Sequence, residues 1–203
     1  MGLEGVMKLG GQIKLTIVVI GIAAAAIALF CFRVRHSVVV KPDRPEIITS
    51  EVIAYRQDDD RWAKAPLGDS SFTMESSGCL VSCIASAISM GGAEVVTPGE
   101  LNAIFSEHNV YDSEGNIQWA AIESIGGYSV NVYSTVDEQE IYQCLAEGNY
   151  PIVRVRVNGL GNWHYVLVVG LEDQDYVCMD PLKDELTRLS QYFNRVYAVR
   201  VVM

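Results

Sequence analysis

The chain has 203 residues, half of them hydrophobic, and a net charge of −10. That suffices for one packed domain and an appendage. Five cysteines and three histidines, with no Cys-x-x-Cys pair meeting a second, argue against a disulfide framework and against a structural zinc site. The charge is uneven: residues 1–44 hold six basic and two acidic residues, leaving the remainder with 9 basic and 23 acidic. An acidic globular part argues against nucleic acid as a partner and hints at a cationic or neutral substrate.

The N-terminus carries an uncharged run, Leu15 to Phe32, bracketed by Lys14 and Arg33. Eighteen uncharged, mostly apolar residues sit at the threshold for crossing a bilayer. The bulky Phe30-Cys31-Phe32 that ends the run does not suit signal cleavage, which needs small residues. Residues 1–36 therefore read as a tail and an uncleaved single-pass anchor, with Gly10-Gly11 as linker. Cationic residues after the run outnumber those before it, which by count places the C-terminal side in the cytoplasm. A short cationic N-terminus ahead of an apolar run also resembles an uncut export signal. On that reading the globular part is extracytoplasmic, which is the expectation carried forward.

Residues 37–50, with two prolines and mixed charge, read as a stalk, and the globular domain as 51–203. The polar stretch after Tyr55 predicts loops. A helix follows from about Cys79 to Met90, stopped at Gly91-Gly92. Thr97-Pro98-Gly99-Glu100 opens a second helix with a capping box, and that helix ends near His108. A third is expected over 117–125, then a strand in "YSVNVYS", then a helix capped by Asp137 and stopped by Gly148. From Pro151 the period changes to two, giving strands in "PIVRVRVN", "HYVLVVGLE", "DYVCMD" and "RVYAVRVVM". Helices first and an antiparallel sheet second is an α+β layout, with the Cys79 helix laid on the sheet.

Cys79 follows Ser76-Ser77-Gly78, which are N-cap candidates, so its thiol falls in the first helical turn at the positive end of the helix dipole. Cys83, one turn further in, reads as core packing. A thiol nucleophile needs a base. His164 opens an apolar strand, whereas His36 lies in the stalk region and His108 at a surface helix end. The turn at Glu172-Asp173-Gln174 folds the strand ends together, which places Asp180 beside His164. Gln57, ahead of the helix, is a side-chain amide that could serve an oxyanion hole with the Cys79 N–H.

In this order, "QDDDRW", "GCLVSCIASAISMGG", "TPGELN", "WHYVLVVG" and "DP" resemble papain-fold cysteine peptidases of the bacteriocin-processing (family-39-like) group, in their stand-alone form. The resemblance covers roughly residues 50–200. It implies a papain-like fold with Cys79 as nucleophile, His164 as general base, Asp180 as its orienting partner and Gln57 in the oxyanion hole, with no cofactor and no metal. The implied activity is hydrolysis of a peptide or amide bond in a peptide or protein substrate, by an enzyme held to the membrane through its N-terminal helix. Leu80-Val81-Ser82 departs from the Gly-Pro or Gly-x-Thr/Ser that often follows the family's cysteine. Two other readings share the fold: a catalytically idle binding module, and an acyltransferase or transglutaminase-like enzyme using the same residues.

Overall fold

The computed structural model describes residues 3–92 and 95–203, with side chains from residue 15 onward. They fall into two units, residues 1–36 and 37–203. The first is one helix, α1 (Leu3–Val34), which runs through Gly10-Gly11, so that pair is not a linker. Its stretch Leu15–Val34 has a mean hydropathy of 2.8 and suits a membrane span. An N-terminal signal sequence meets the same description.

The second unit begins with β1 (Val38–Val39), then α2 (Met74–Ser77), α3 (Cys79–Gly91), α4 (Pro98–Glu107), α5 (Trp119–Ile125) and β2 (Val130–Val132). After these come α6 (Glu138–Ala146), β3 (Ile152–Arg156), β4 (Trp163–Glu172), β5 (Asp175–Met179), β6 (Thr187–Arg188), β7 (Arg195–Val196) and β8 (Ala198–Val202). Six strands form an antiparallel sheet in the order β2-β8-β3-β4-β5-β6, while β1 pairs with β7. The mixed layout of helices and antiparallel sheet agrees with the α+β expectation.

Local signals explain the helices. The Thr97 hydroxyl accepts from the Glu100 N–H and the Glu100 carboxylate accepts from the Thr97 N–H, which is the capping box expected for α4. Asp137 caps α6 by accepting from the Gln139 N–H. Two elements are shorter than expected. Ile117 bridges to Tyr111 instead of entering α5, and β2 covers only the three residues that reach β8.

Strand alternation gives the sheet two apolar faces. Ile152, Leu167, Val169 and Val202 pack under α3, α4 and α5 with Ile84, Leu101, Phe105 and Ile122. Val153, Val155, Val166, Val168 and Val199 pack under α6 with Ile141 and Leu145. Each of these side chains removed from water contributes roughly 1.5–3 kcal/mol before entropy is counted.

Residues 37–50 are not a stalk. Val40 is fully buried and its N–H donates to the Asn194 carbonyl, 2.8 Å away. Ile47 exchanges two backbone hydrogen bonds with Leu171, at 2.9 and 2.8 Å. Arg44 pairs with Glu138 at 2.9 Å, and the Thr49 hydroxyl donates to the Val169 carbonyl. The prolines break regular structure in this stretch without freeing it, because Val40 and Ile47 reach unpaired backbone on the domain. The compact unit thus begins at Ser37 rather than at Glu51.

Residues 47–49 lie against an irregularity in the sheet. The β4–β5 hairpin turns at Asp173-Gln174, both left-handed, and pairs Glu172 with Asp175, Leu171 with Tyr176 and Gly170 with Val177. The register then slips by one residue, so that Val168 faces Cys178 and Leu167 faces Met179. The extra residue on β4 is Val169, whose carbonyl is the one Thr49 holds.

Candidate active site

That slip decides which side chains meet. In an unbroken hairpin the register of the turn would continue and set Asp180 opposite Leu167. Asp180 would then lie on the face away from His164, because side chains alternate along each strand. With the bulge, continuing the register beyond the Leu167–Met179 pair sets Asp180 opposite Val166, on the same face as His164. The two meet: His164 Nε2 and Asp180 Oδ1 are 2.6 Å apart, with the residues 3% and 4% exposed.

Asp180 is held from three sides. Besides His164, its Oδ1 accepts from the Leu182 N–H at 2.8 Å and its Oδ2 accepts from the Tyr192 hydroxyl. Burial alone would raise the carboxyl pKa. The hydrogen bonds and charge of His164, with Tyr192 and Leu182, override it and hold the group below the usual carboxylate range. Nothing in the sequence singles out Tyr192. It sits in the irregular turn 189–192, where no periodicity marks a functional side chain.

His164 shows the complementary shift. Burial lowers its pKa, but the Asp180 hydrogen bond and the Cys79 sulfur, acting on the ring through hydrogen bonding and charge, outweigh burial and raise it to about 9. With Nε2 turned to Asp180, Nδ1 is the ring atom left for the thiol side. The Cys79 sulfur thus acts on the His164 ring although 85 positions of chain separate the two residues.

Cys79 opens α3 and is half-buried. Its N-cap is Gly78, which offers no side-chain cap, and Ser76 and Ser77 belong to the preceding turn α2. The expected N-cap serines thus act one turn earlier: the Thr73 N–H donates to Ser76 Oγ at 2.9 Å. Gly78 is required for another reason. A Cβ there would lie 2.5 Å from the Met74 carbonyl oxygen, a backbone atom that cannot swing aside. Gly78→Ala should cost about 1–3 kcal/mol of stability as an overpacking change. It should also slow Cys79 alkylation, read by urea melts and by mass spectrometry of the labelled chain. A variant melting and reacting like the parent would refute the constraint.

Cys83 is wholly buried, with its thiol 3.5 Å from the Tyr165 carbonyl. Burial first, then the charges of Cys79, Asp180 and Cys178, push its pKa well above the ordinary thiol value, which keeps it protonated and inert. None of the five cysteines is in a disulfide.

Gln57 is 4% exposed and bridges two parts of the site. Its backbone N–H donates to the Pro181 carbonyl at 3.0 Å, next to Asp180, and its Nε2 donates to the Glu75 carbonyl at 2.7 Å, in the turn before Cys79. Arg56 ties the same loop to Asp184 at 2.6 Å. One Nε2 hydrogen is thus committed to Glu75, and Oε1 has no hydrogen-bond partner among the described residues.

Beside Cys79 lies a cleft of about 700 Å³, lined by Leu80, Tyr111 and Trp119 from the helical side and by Arg154, Tyr165 and Arg200 from the sheet. The sequence holds a signal for the arginines: each stands between valines, at a position whose face also carries Ile152 or Val202.

The fold resembles that of a C39-like peptidase. A solved Bacillus anthracis structure, described as a "putative C39-like peptidase", superposes with a TM-score of 0.54 over 79% of this chain and 98% of that one. The two are 13% identical, so the likeness speaks to the fold alone. No family model matches the chain, and no curated protein does. These comparisons support a peptidase-like fold.

Proposed function

We propose that this protein is a cysteine peptidase or amide hydrolase, with Cys79 as nucleophile, His164 as general base and then acid, and Asp180 as the group that orients the ring. The observation that carries the reading is the buried His164–Asp180 pair, whose imidazole also senses the Cys79 sulfur. In the first step His164 Nδ1 takes the thiol proton and the sulfur attacks the substrate carbonyl carbon. The oxyanion that forms needs donors, and the Cys79 N–H and the second Nε2 hydrogen of Gln57 are the candidates. Collapse expels the amine, which takes its proton from His164. Water, deprotonated by the same ring, then releases the acid and regenerates the thiol. The apolar stretch Leu15–Val34 would hold the enzyme at a membrane as a single-pass protein, with the domain on the extracytoplasmic side.

Iodoacetamide at pH 6 tests the reading. Cys79 should be carboxamidomethylated at least about tenfold faster than Cys83, Cys144 or Cys178, whose thiols are buried. Four equally sluggish thiols in the globular unit would favour an idle binding module. Product formed with an added amine in preference to water would favour acyl transfer.

A further inference from the structure

We propose that the cleft beside Cys79 contains a carboxylate-recognition subsite, formed by Arg154 and Arg200, which selects a peptide bearing an acidic group close to the bond attacked. The proposal rests on the hydrolase reading and names the substrate class for it.

The two arginines are diagonal neighbours on one sheet face, because Arg154 pairs with Ala198 and Ile152 pairs with Arg200 across β3 and β8. Tyr165 faces Arg154 from β4 and completes a row of three across the cleft floor. The row begins where α3 ends its cover of the sheet. Ile152, Leu167 and Val202, one step along on the same face, are buried under the helices.

Neither arginine has a carboxylate partner among the described residues, although the molecule is acidic. Acidic residues outnumber basic ones in it by 25 to 15, and Arg44, Arg56, Arg61 and Arg188 each pair with a carboxylate. Arg154 and Arg200 form no ion pair among the described residues, and the Nε of each is buried without a hydrogen-bond partner. Arg154 hydrogen-bonds the Tyr165 hydroxyl and Arg200 donates to the Tyr133 carbonyl at 3.5 Å, and both also rest on aromatic rings. Arg154 lies 4.6 Å from the Trp163 centroid and Arg200 lies 5.5 Å from that of Trp119. Arg200 also donates to the Val199 carbonyl at 2.6 Å. Burial lowers the Arg200 pKa, and the like charge of Arg154 adds to it, so two cations repel each other in a partly dry cleft. An anion that accepts from both guanidinium groups would relieve the repulsion, and their planar geometry suits a carboxylate. Glu114, exposed, is the one carboxylate lining the cleft, and it makes no ion pair among the described residues.

The subsite lies near the reacting atom. Cys79 and Leu80 line the same cleft, Tyr165 directly follows His164, and the Cys79 charge reaches the Tyr165 hydroxyl. At about 3.3–3.6 Å per residue, an extended peptide with its carbonyl at Cys79 places a carboxylate here within a few residues. The group is an Asp or Glu side chain or the C-terminal carboxylate of a short peptide. The domain's net charge suggests a cationic or neutral substrate, but the sum over the surface does not set the sign of this cleft.

The test uses the full chain in detergent as Cys79→Ala, incubated with N-acetylated random hexapeptides that end in an amide or in a free acid, with bound peptides sequenced. The expected result is enrichment of about tenfold or more for Asp and Glu over Asn and Gln at one position. Enrichment should be lost on adding Arg154→Gln or Arg200→Gln, and weakened by the corresponding Lys variants. Retention confined to the free-acid library, whatever the side chains, would assign the C-terminal carboxylate as the ligand. An absence of acid preference in both libraries overturns the subsite, and Cys79→Ala alone is enough to show it if an Arg→Gln variant does not melt cooperatively. Preference that survives both Gln variants overturns it as well. Acid enrichment, together with a Cys79 that iodoacetamide does not label in the parent chain, would leave the subsite standing and sink the hydrolase reading instead.

Discussion

Replacing Cys79 by alanine should abolish hydrolysis, a loss of about a thousandfold or more, and His164→Asn should cost nearly as much. The double variant should be no worse than either single one. The reason is that neither group has a chemical role without the other: the ring has no proton to take once the sulfur is gone, and the thiol has no base once the ring is gone. Cys83→Ala provides the contrast. Its thiol touches the Tyr165 carbonyl from inside the core, so its loss should leave the rate within about threefold and appear mainly as lowered stability. Single-turnover hydrolysis of a quenched fluorescent peptide, with melting curves alongside, separates the two outcomes. Additive losses for Cys79 and His164 would mean that they do not act as a unit.

Asp180→Asn should lower kcat/KM by roughly a hundredfold or more and move the alkaline limb of the pH profile, because on the proposed mechanism the form that attacks is the Cys79 thiolate beside a ring that has already taken its proton. Asp180 favours the protonated ring by its hydrogen bond and charge, and with the Cys79 sulfur it holds the His164 pKa at about 9. Without the carboxylate, burial pulls the other way, so the limb should shift toward acid. Tyr192→Phe removes one donor to the same carboxylate and should cost less, with readout in the profile rather than in KM. The pair also makes folding pH-dependent. The depressed Asp180 pKa contributes stability above its ordinary value of 3.8, lost as pH falls through the folded value. The raised His164 pKa contributes stability below 6.5, lost as pH rises through about 9. A D180N protein with an unmoved limb would show that the carboxylate does not tune the ring.

What the sequence makes legible is local. The α4 capping box, the Asp137 cap and the glycines that stop α3 each involve neighbours within a few positions, and all sit where expected. A tight turn brings the strand ends of His164 and Asp180 together, yet a tight turn alone would set the two side chains on opposite faces. Val169 supplies the missing residue of slip, and nothing in "HYVLVVGLE" distinguishes it from its neighbours. Residues 37–50 defeat a local reading for a related reason. Their prolines announce irregular backbone, but partners more than a hundred positions away, at Leu171 and Asn194, decide whether irregular chain is loose or bound. Arg154 and Arg200 break an apolar pattern, and their meaning emerges only once β3 and β8 are neighbours.

The extra residue in β4 also acts as a parity check on the hairpin. Lengthening or shortening either arm by one position between His164 and Asp180 would turn the carboxylate to the wrong side of the sheet, however well the rest of the chain folded. Only changes that come in compensating pairs keep the two groups together, so a distant relative could vary freely in side chains along these arms while its count of residues stayed odd or even as a matter of survival. Thr49 and Ile47, clasping the backbone at that point, make the count harder to lose.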